Sequence, residues 1–350
     1  MTGGPDRTGL LSGLVDDAGL FPPTSLNMAD AVHRHVNDQA ARHPMLSHRF
    51  LCPASRLAEL RSRLNGARRV RLGLIADTGL DGLPDALKEI DIDPRVELAH
   101  LEVPLAAIPH DPATAVVETR RVIGDAQAFF EPSSYAAVPE TVRALGGGPQ
   151  GGSNRVGTQG GSNRVGTQGG LNGVGPNGVG PNGVGPNGVG SKGSGAHGVG
   201  SKDVGAHGVG VKEGGSEGGG LKLRCGGIKP ELFPSPATLA NAIVTAVAAN
   251  VPLKATAGLH EAVRHHNPET GFTHHGYLNL LLAVAEALDG AEPYDVRTAL
   301  ELTDPAALTT RLRAVTDVER LRRAFVSYGS CSTSTPIEQA RALGLEEGPR

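Results

Sequence analysis

A chain of 350 residues with a formal net charge of −3 offers no electrostatic attraction for nucleic acid or an anionic membrane surface. No apolar run approaches the roughly 18 residues of a membrane-spanning helix, and the N-terminus lacks the basic-then-apolar order of a secretory signal. Three widely spaced cysteines, Cys52, Cys225 and Cys331, argue against a disulfide framework or structural zinc and point to a reducing cytoplasm.

The pattern alternates strand and helix. A first strand is predicted over 10–20, ending near Asp16 and Asp17 before a proline stop at Pro22 and Pro23. A helix follows over 27–42, capped by Asn27. A second strand over 47–52 leads to a helix over 54–64, and a third over 69–76 closes on Asp77 and leads to a helix over 83–90. The fourth strand, 96–103, carries His100 and Glu102 on one face, and a helix over 112–123 follows. The fifth, 126–131, ends on Glu131 and precedes a helix over 139–145. The sixth strand is 221–225 with its helix at 235–250, and the seventh is 252–257 with its helix at 274–288. Helical material follows over 304–323. The eighth strand is 324–328, with 296–302 as a competitor, and the last helix is 336–343.

Such alternation argues a parallel sheet with right-handed crossovers, and eight units close a barrel. No GxGxxG follows the first strand, which weighs against an open dinucleotide-binding sheet. The expected fold is therefore a (β/α)8 barrel of the TIM type. Strands one to five lie in 1–145 and strands six to eight in 221–350.

Between them, 146–220 holds 31 of the 50 glycines. SNRVGTQGG occurs twice there, GPNGV three times and a unit ending GAHGVG twice. This glycine-rich, low-complexity composition cannot bury enough apolar surface to offset its ordering entropy, so disorder is expected. Its place after the fifth helix makes it an αβ loop, on the barrel face opposite an active site. The 350 residues less these 75 leave 275, close to the roughly 250 of one barrel.

The chemistry concentrates in 221–260, where LKLRCGG and PLKATAGLH each place a lysine in an apolar strand. Side chains alternate along a strand, so Lys222 shares a face with Arg224, and Lys254 with Thr256. A barrel strand is covered on both faces, so buried lysines need partners or a strand-end position. Gly226, Gly227 and Gly258 follow, suited to tight turns and a close backbone approach.

Three reaction classes fit. In Schiff-base chemistry Lys222 or Lys254 is the amine, with its pKa lowered by a neighbouring cation and by desolvation. Glu131 or Glu102 moves the proton and Arg224 clamps an anion. In non-covalent capture of a phosphate or carboxylate, backbone N–H groups of the GSCSTSTP loop, with Ser330 and Ser332, meet the anion, unless the loop is an ordinary Ser/Thr N-cap. A metal-dependent lyase or hydrolase instead uses His260 with His274 or His275. Adjacent helix residues point about 100° apart, so His274 and His275 rarely bind one ion together. His265 and His266 read as loop residues. Cys225 packs as a small hydrophobe, whereas Cys331 reads as more exposed, with no base placed beside it. No motif identifies a cofactor. The expected partner is a small anionic metabolite.

KLRCGG, PLKATAGLH, THHGYLNLLLA and YGSCS resemble an uncharacterised bacterial protein family, over roughly the last half of the ordered chain. That resemblance implies no activity. The placement of Lys222 on the sixth strand and Lys254 on the seventh is similar to class I aldolases of the deoxyribose-phosphate type. It implies a lyase in which one of these lysines is the amine; a non-catalytic ligand-binding barrel is the alternative.

Overall fold

The computed structural model describes residues 9–64, 69–146, 219–268 and 270–345. The glycine-rich repeats, and the disorder expected of them, lie outside the described residues. The described chain runs up to Gly146 and resumes at Gly219.

The strands are β1 (Val15–Asp17), β2 (Leu46–Pro53), β3 (Val70–Ile75), β4 (Val96–Pro104), β5 (Ala128–Glu131), β6 (Gly220–Arg224), β7 (Leu253–Thr256), β8 (His265–His266), β9 (Thr273–His274) and β10 (Phe325–Ser330). The helices are α1 (Met28–Ala41), α2 (Leu57–Arg63), α3 (Leu83–Asp91), α4 (Pro112–Ile123), α5 (Val138–Gly146), α6 (Pro236–Ala248), α7 (Tyr277–Leu288), α8 (Pro293–Glu301), α9 (Pro305–Ala314), α10 (Val318–Ala324) and α11 (Ser334–Ala342). Eight strands form a closed parallel barrel in the order β1-β10-β7-β6-β5-β4-β3-β2. This is the (β/α)8 architecture that the alternation predicts.

The helices begin where sequence chemistry places them. Asn27, Asp111, Ser235 and Asp304 each accept a backbone N–H of the first helical turn, and Pro112, Pro236 and Pro305 open their helices. Between strands and helices lies a shell of apolar side chains, including Phe50, Leu72, Leu74, Leu101, Phe130, Leu221 and Ala255. The helix α7 is apolar almost all round and is buried accordingly, because α8, α9 and α10 cover its outer side. Its one interior polar residue, Asn279, is satisfied. The amide donates to the carbonyls of Ala299 and Leu302, both at 2.9 Å, and the Oδ1 accepts the Arg264 N–H at 2.8 Å.

Some boundaries differ from the sequence reading. The first strand is only three residues, and Leu10, Leu11 and Leu14 pack into the core from the turn before it. The region 296–301 is helical, within α8, and Leu302 is the residue that caps it. Val296, Ala299 and Leu300 are its buried residues, a spacing of three and four that belongs to a helix face. The eighth barrel strand is β10. His265 and His266 lie in a short antiparallel ladder with β9, inside the β7–α7 connection. The close approach at Gly226 and Gly258 is of one backbone to the other: a Cβ on Gly226 would stand 2.7 Å from the Gly258 Cα. The connections after β6 and β7 therefore touch, and Gly258 has a φ of +69° that favours glycine. Among the described residues no helix is long and apolar enough to cross a membrane.

Candidate active site

Strand alternation brings six strands' polar side chains into the barrel interior. Asp16 comes from β1, Arg49 from β2, His100 and Glu102 from β4, Glu131 from β5, Lys222 and Arg224 from β6, and Lys254 from β7. They form one chain of alternating charge. Arg49 Nε donates to Asp16 Oδ1 at 2.8 Å, and the Lys254 ammonium donates to Asp16 Oδ2. Lys254 Nζ lies 3.1 Å from Glu102 Oε1, and Glu102 Oε2 lies 2.6 Å from Lys222 Nζ. Lys222 also pairs with Glu131 Oε2 at 2.9 Å, and Glu131 Oε1 accepts from Arg224 Nε at 2.7 Å. Since β1, β4 and β7 are not neighbours, these contacts close only across the interior.

Burial grades along this chain. Lys254 and Asp16 are fully shut from solvent, and Lys222 is 4% exposed. The Arg224 side chain is 44% exposed, so the network meets solvent at the C-terminal end of β6. That is the end where barrels of this fold carry their chemistry. Beneath lies an apolar floor. Phe129 packs edge-on against His100 at 5.7 Å, and Lys254 Nζ stands 5.8 Å from the same ring. Gly73 makes room for His100, because a Cβ there would stand 2.6 Å from the imidazole Cε1.

The electrostatics are set by mutual pairing. Burial acts to raise the Asp16 pKa, but Arg49 and Lys254 outweigh it and hold the carboxyl far below the usual range. Glu102 is held down against its burial by Lys222 and Lys254, and Glu131 by Lys222 and Arg224. His100 falls to about 4, through burial and then the Lys254 charge, so its ring is neutral near pH 7. Its Nε2 lies 3.1 Å from Lys254 Nζ and 3.2 Å from Glu102 Oε1. Four cations against three carboxylates leave the interior one unit positive.

Lys222 corrects one expectation. A neighbouring cation was to lower a lysine pKa, but Glu102 and Glu131 stand between the cations. They raise the Lys222 pKa against the opposing effect of burial. The resting side chain is an ammonium.

The remaining sequence candidates divide. Thr256 is the register partner of Arg224 on β7, at the same rim. His260 and His274 lie together on the rim, ring centroids 5.9 Å apart, outside the ion-pair network. His275 turns elsewhere, its Nε2 2.8 Å from the Pro234 carbonyl. Ser332 Oγ, just ahead of α11, accepts the Thr335 N–H within it, whereas the N-cap of that helix, Thr333, makes no side-chain cap, and Ser330 Oγ donates to the Ser332 carbonyl. Both hydroxyls are thus engaged within their own loop. Asp17 points away from the interior to Arg34 and His35, and Asp77 accepts from Ser55. Cys331 is 6% exposed, more buried than its sequence suggested, and does have an imidazole beside it.

Sequence reasoning missed Ser47, Arg49 and Ser327. Ser47 Oγ donates to Asp16 at 2.5 Å and Ser327 Oγ at 2.8 Å. The signal was the i, i+2 spacing of Ser47 and Arg49, which puts both on one face of β2. Asp16, His100 and Glu102 also offer donor atoms near enough together for one metal ion. The Lys254 ammonium touches all three, so a cation already stands among them.

Comparison with protein-family models, with curated proteins and with solved structures gives no match. The class of protein is therefore defined by the fold and this interior alone: a parallel (β/α)8 barrel with a buried, net-positive network of lysines and carboxylates.

Proposed function

We propose that this barrel is a lyase of the aldolase type that acts on a small anionic carbonyl compound, with Lys222 as the amine. The observation that carries the reading is the setting of Lys222. Its Nζ lies 2.6 Å from one carboxylate and 2.9 Å from another, directly below a half-exposed arginine. Lys254 is less suited to attack, because it is fully buried and already engaged by Asp16, Glu102 and His100. The placement of lysines on the sixth and seventh strands, similar to deoxyribose-phosphate-type aldolases, supports the same assignment.

The steps follow from the charges. An anionic substrate enters at the exposed end and pairs with Arg224. Glu131 then loses part of its cationic partner, its pKa rises, and it becomes a better base for the Lys222 proton. The freed amine adds to the carbonyl carbon, the carbonyl oxygen takes a proton, and loss of water leaves an iminium. That electron sink permits cleavage of the bond between the α and β carbons: Glu131 or Glu102 takes the β-hydroxyl proton, the bond's electron pair flows to nitrogen as an enamine, and a carboxyl returns a proton to the α carbon. Lys254 and Asp16 act as positioning residues that hold Glu102 ionised and in place.

A second reading is non-covalent anion binding, favoured by the raised Lys222 pKa. Borohydride reduction in the presence of substrate separates the two: an iminium is trapped as a stable adduct, a bound anion is not.

A further inference from the structure

The rim above β7 and β10 holds a second pair of reactive groups that the interior network does not use. Cys331 Sγ lies 3.4 Å from His260 Nδ1. The two residues come from the connections that follow β10 and β7, which are neighbours in the barrel. Both therefore stand at the C-terminal rim, as Arg224 does.

Two features set this thiol apart. Its backbone is clamped, because the Cys331 carbonyl accepts from Arg34 Nη1 at 2.7 Å and Arg34 is itself paired with Asp17. Its imidazole is neutral near pH 7: burial pushes the His260 pKa down, against a smaller opposing effect of Glu261. His274, whose ring centroid lies 5.9 Å from that of His260, is lowered for the same reason of burial, and its own Nε2 is buried with no hydrogen-bond partner among the described residues. Among the described residues the other two thiols have no such base beside them. Cys52 Sγ lies near the Pro53 carbonyl and Cys225 Sγ near the Leu223 carbonyl, and burial pushes both up to about 12.

We infer that Cys331 and His260 form a thiol–imidazole centre on the barrel rim that adds reversibly to the carbonyl carbon of a small aldehyde. The thiol proton passes to His260 Nδ1 as the S–C bond forms. The carbonyl π electrons move to oxygen, which takes the proton back from the imidazolium and gives a hemithioacetal; no oxidant or reductant is consumed. The choice of an aldehyde rests on the carbonyl chemistry proposed for Lys222, whereas the reactivity of the thiol does not.

The test is timed labelling of the full chain with iodoacetamide, with peptide mapping of all three cysteines, with and without glycolaldehyde. Cys331 is expected to label well before Cys52 and Cys225. In His260→Gln its labelling slows by about tenfold or more, because no base takes the thiol proton as the sulfur attacks. Glycolaldehyde slows Cys331 labelling in the wild-type chain. Labelling of Cys331 no faster than the other two, or unchanged by His260→Gln, overturns the centre. Absence of glycolaldehyde protection overturns the aldehyde assignment. Borohydride trapping on Lys222 is read separately, so failure of that chemistry is distinguishable from failure of this one.

Discussion

Lys254 on β7 donates to Asp16 on β1, across the width of β10, and neither side chain reaches solvent. The pair ties the first strand of the chain to the seventh and seats a cation against Glu102 and His100.

Breaking that pair from one side leaves a buried charge uncompensated. Lys254→Met is expected to cost about 3–5 kcal/mol in urea unfolding, and Asp16→Asn a comparable amount. The double variant should be less destabilised than the sum of the two, because each single change has already removed the shared contact. Additive losses would show that the two side chains act independently.

Arg224 should behave differently. It is half-exposed, so Arg224→Ala is expected to lower stability by less than about 1 kcal/mol. The same variant should weaken binding of inorganic phosphate or a small carboxylate by about tenfold or more, read by titration against thermal unfolding.

Much of this was readable beforehand. Lys222, Lys254, Arg224, His100, Glu102 and Glu131 were visible because charged residues in apolar strands violate the expected pattern. The strand–helix alternation gave the barrel. Ser47 and Ser327 were hidden because a small hydroxyl on a strand reads equally as a solvent-facing position, and Arg49 was overlooked although its i, i+2 spacing from Ser47 marks a shared face. The raised Lys222 pKa was also hidden: periodicity places a cation beside a cation, but only packing across the barrel interposes Glu102 and Glu131.

Acid should weaken the fold early. His100 is held near 4 when folded against an ordinary 6.5. The unfolded chain therefore binds the extra proton between those values, and stability is full above about 6.5 and falls as pH drops toward 4. His275, also near 4 and buried, adds to the same slope. For His100 alone the loss is on the order of 3 kcal/mol. Urea midpoints measured from pH 7 to pH 4.5 should decline, and His100→Asn should flatten part of that decline. A flat profile in the wild-type chain contradicts a buried neutral imidazole.

Gly73 has a steric duty. Gly73→Ala would press a Cβ to 2.5 Å of Leu51 Cδ2 and 2.6 Å of the His100 ring. The expected cost is about 1–3 kcal/mol by urea unfolding. An unchanged midpoint would mean that the interior layer can shift freely.

The central claim is that Lys222 forms an iminium with a small anionic carbonyl compound. Its most direct test is borohydride reduction of the full chain in a small-metabolite extract, followed by intact mass and peptide mapping. A stable adduct on Lys222, absent from Lys222→Met, is the predicted result, and its mass identifies the substrate class. An adduct confined to Lys254, or none on a chain that remains folded, contradicts the assignment and leaves the barrel as an anion binder.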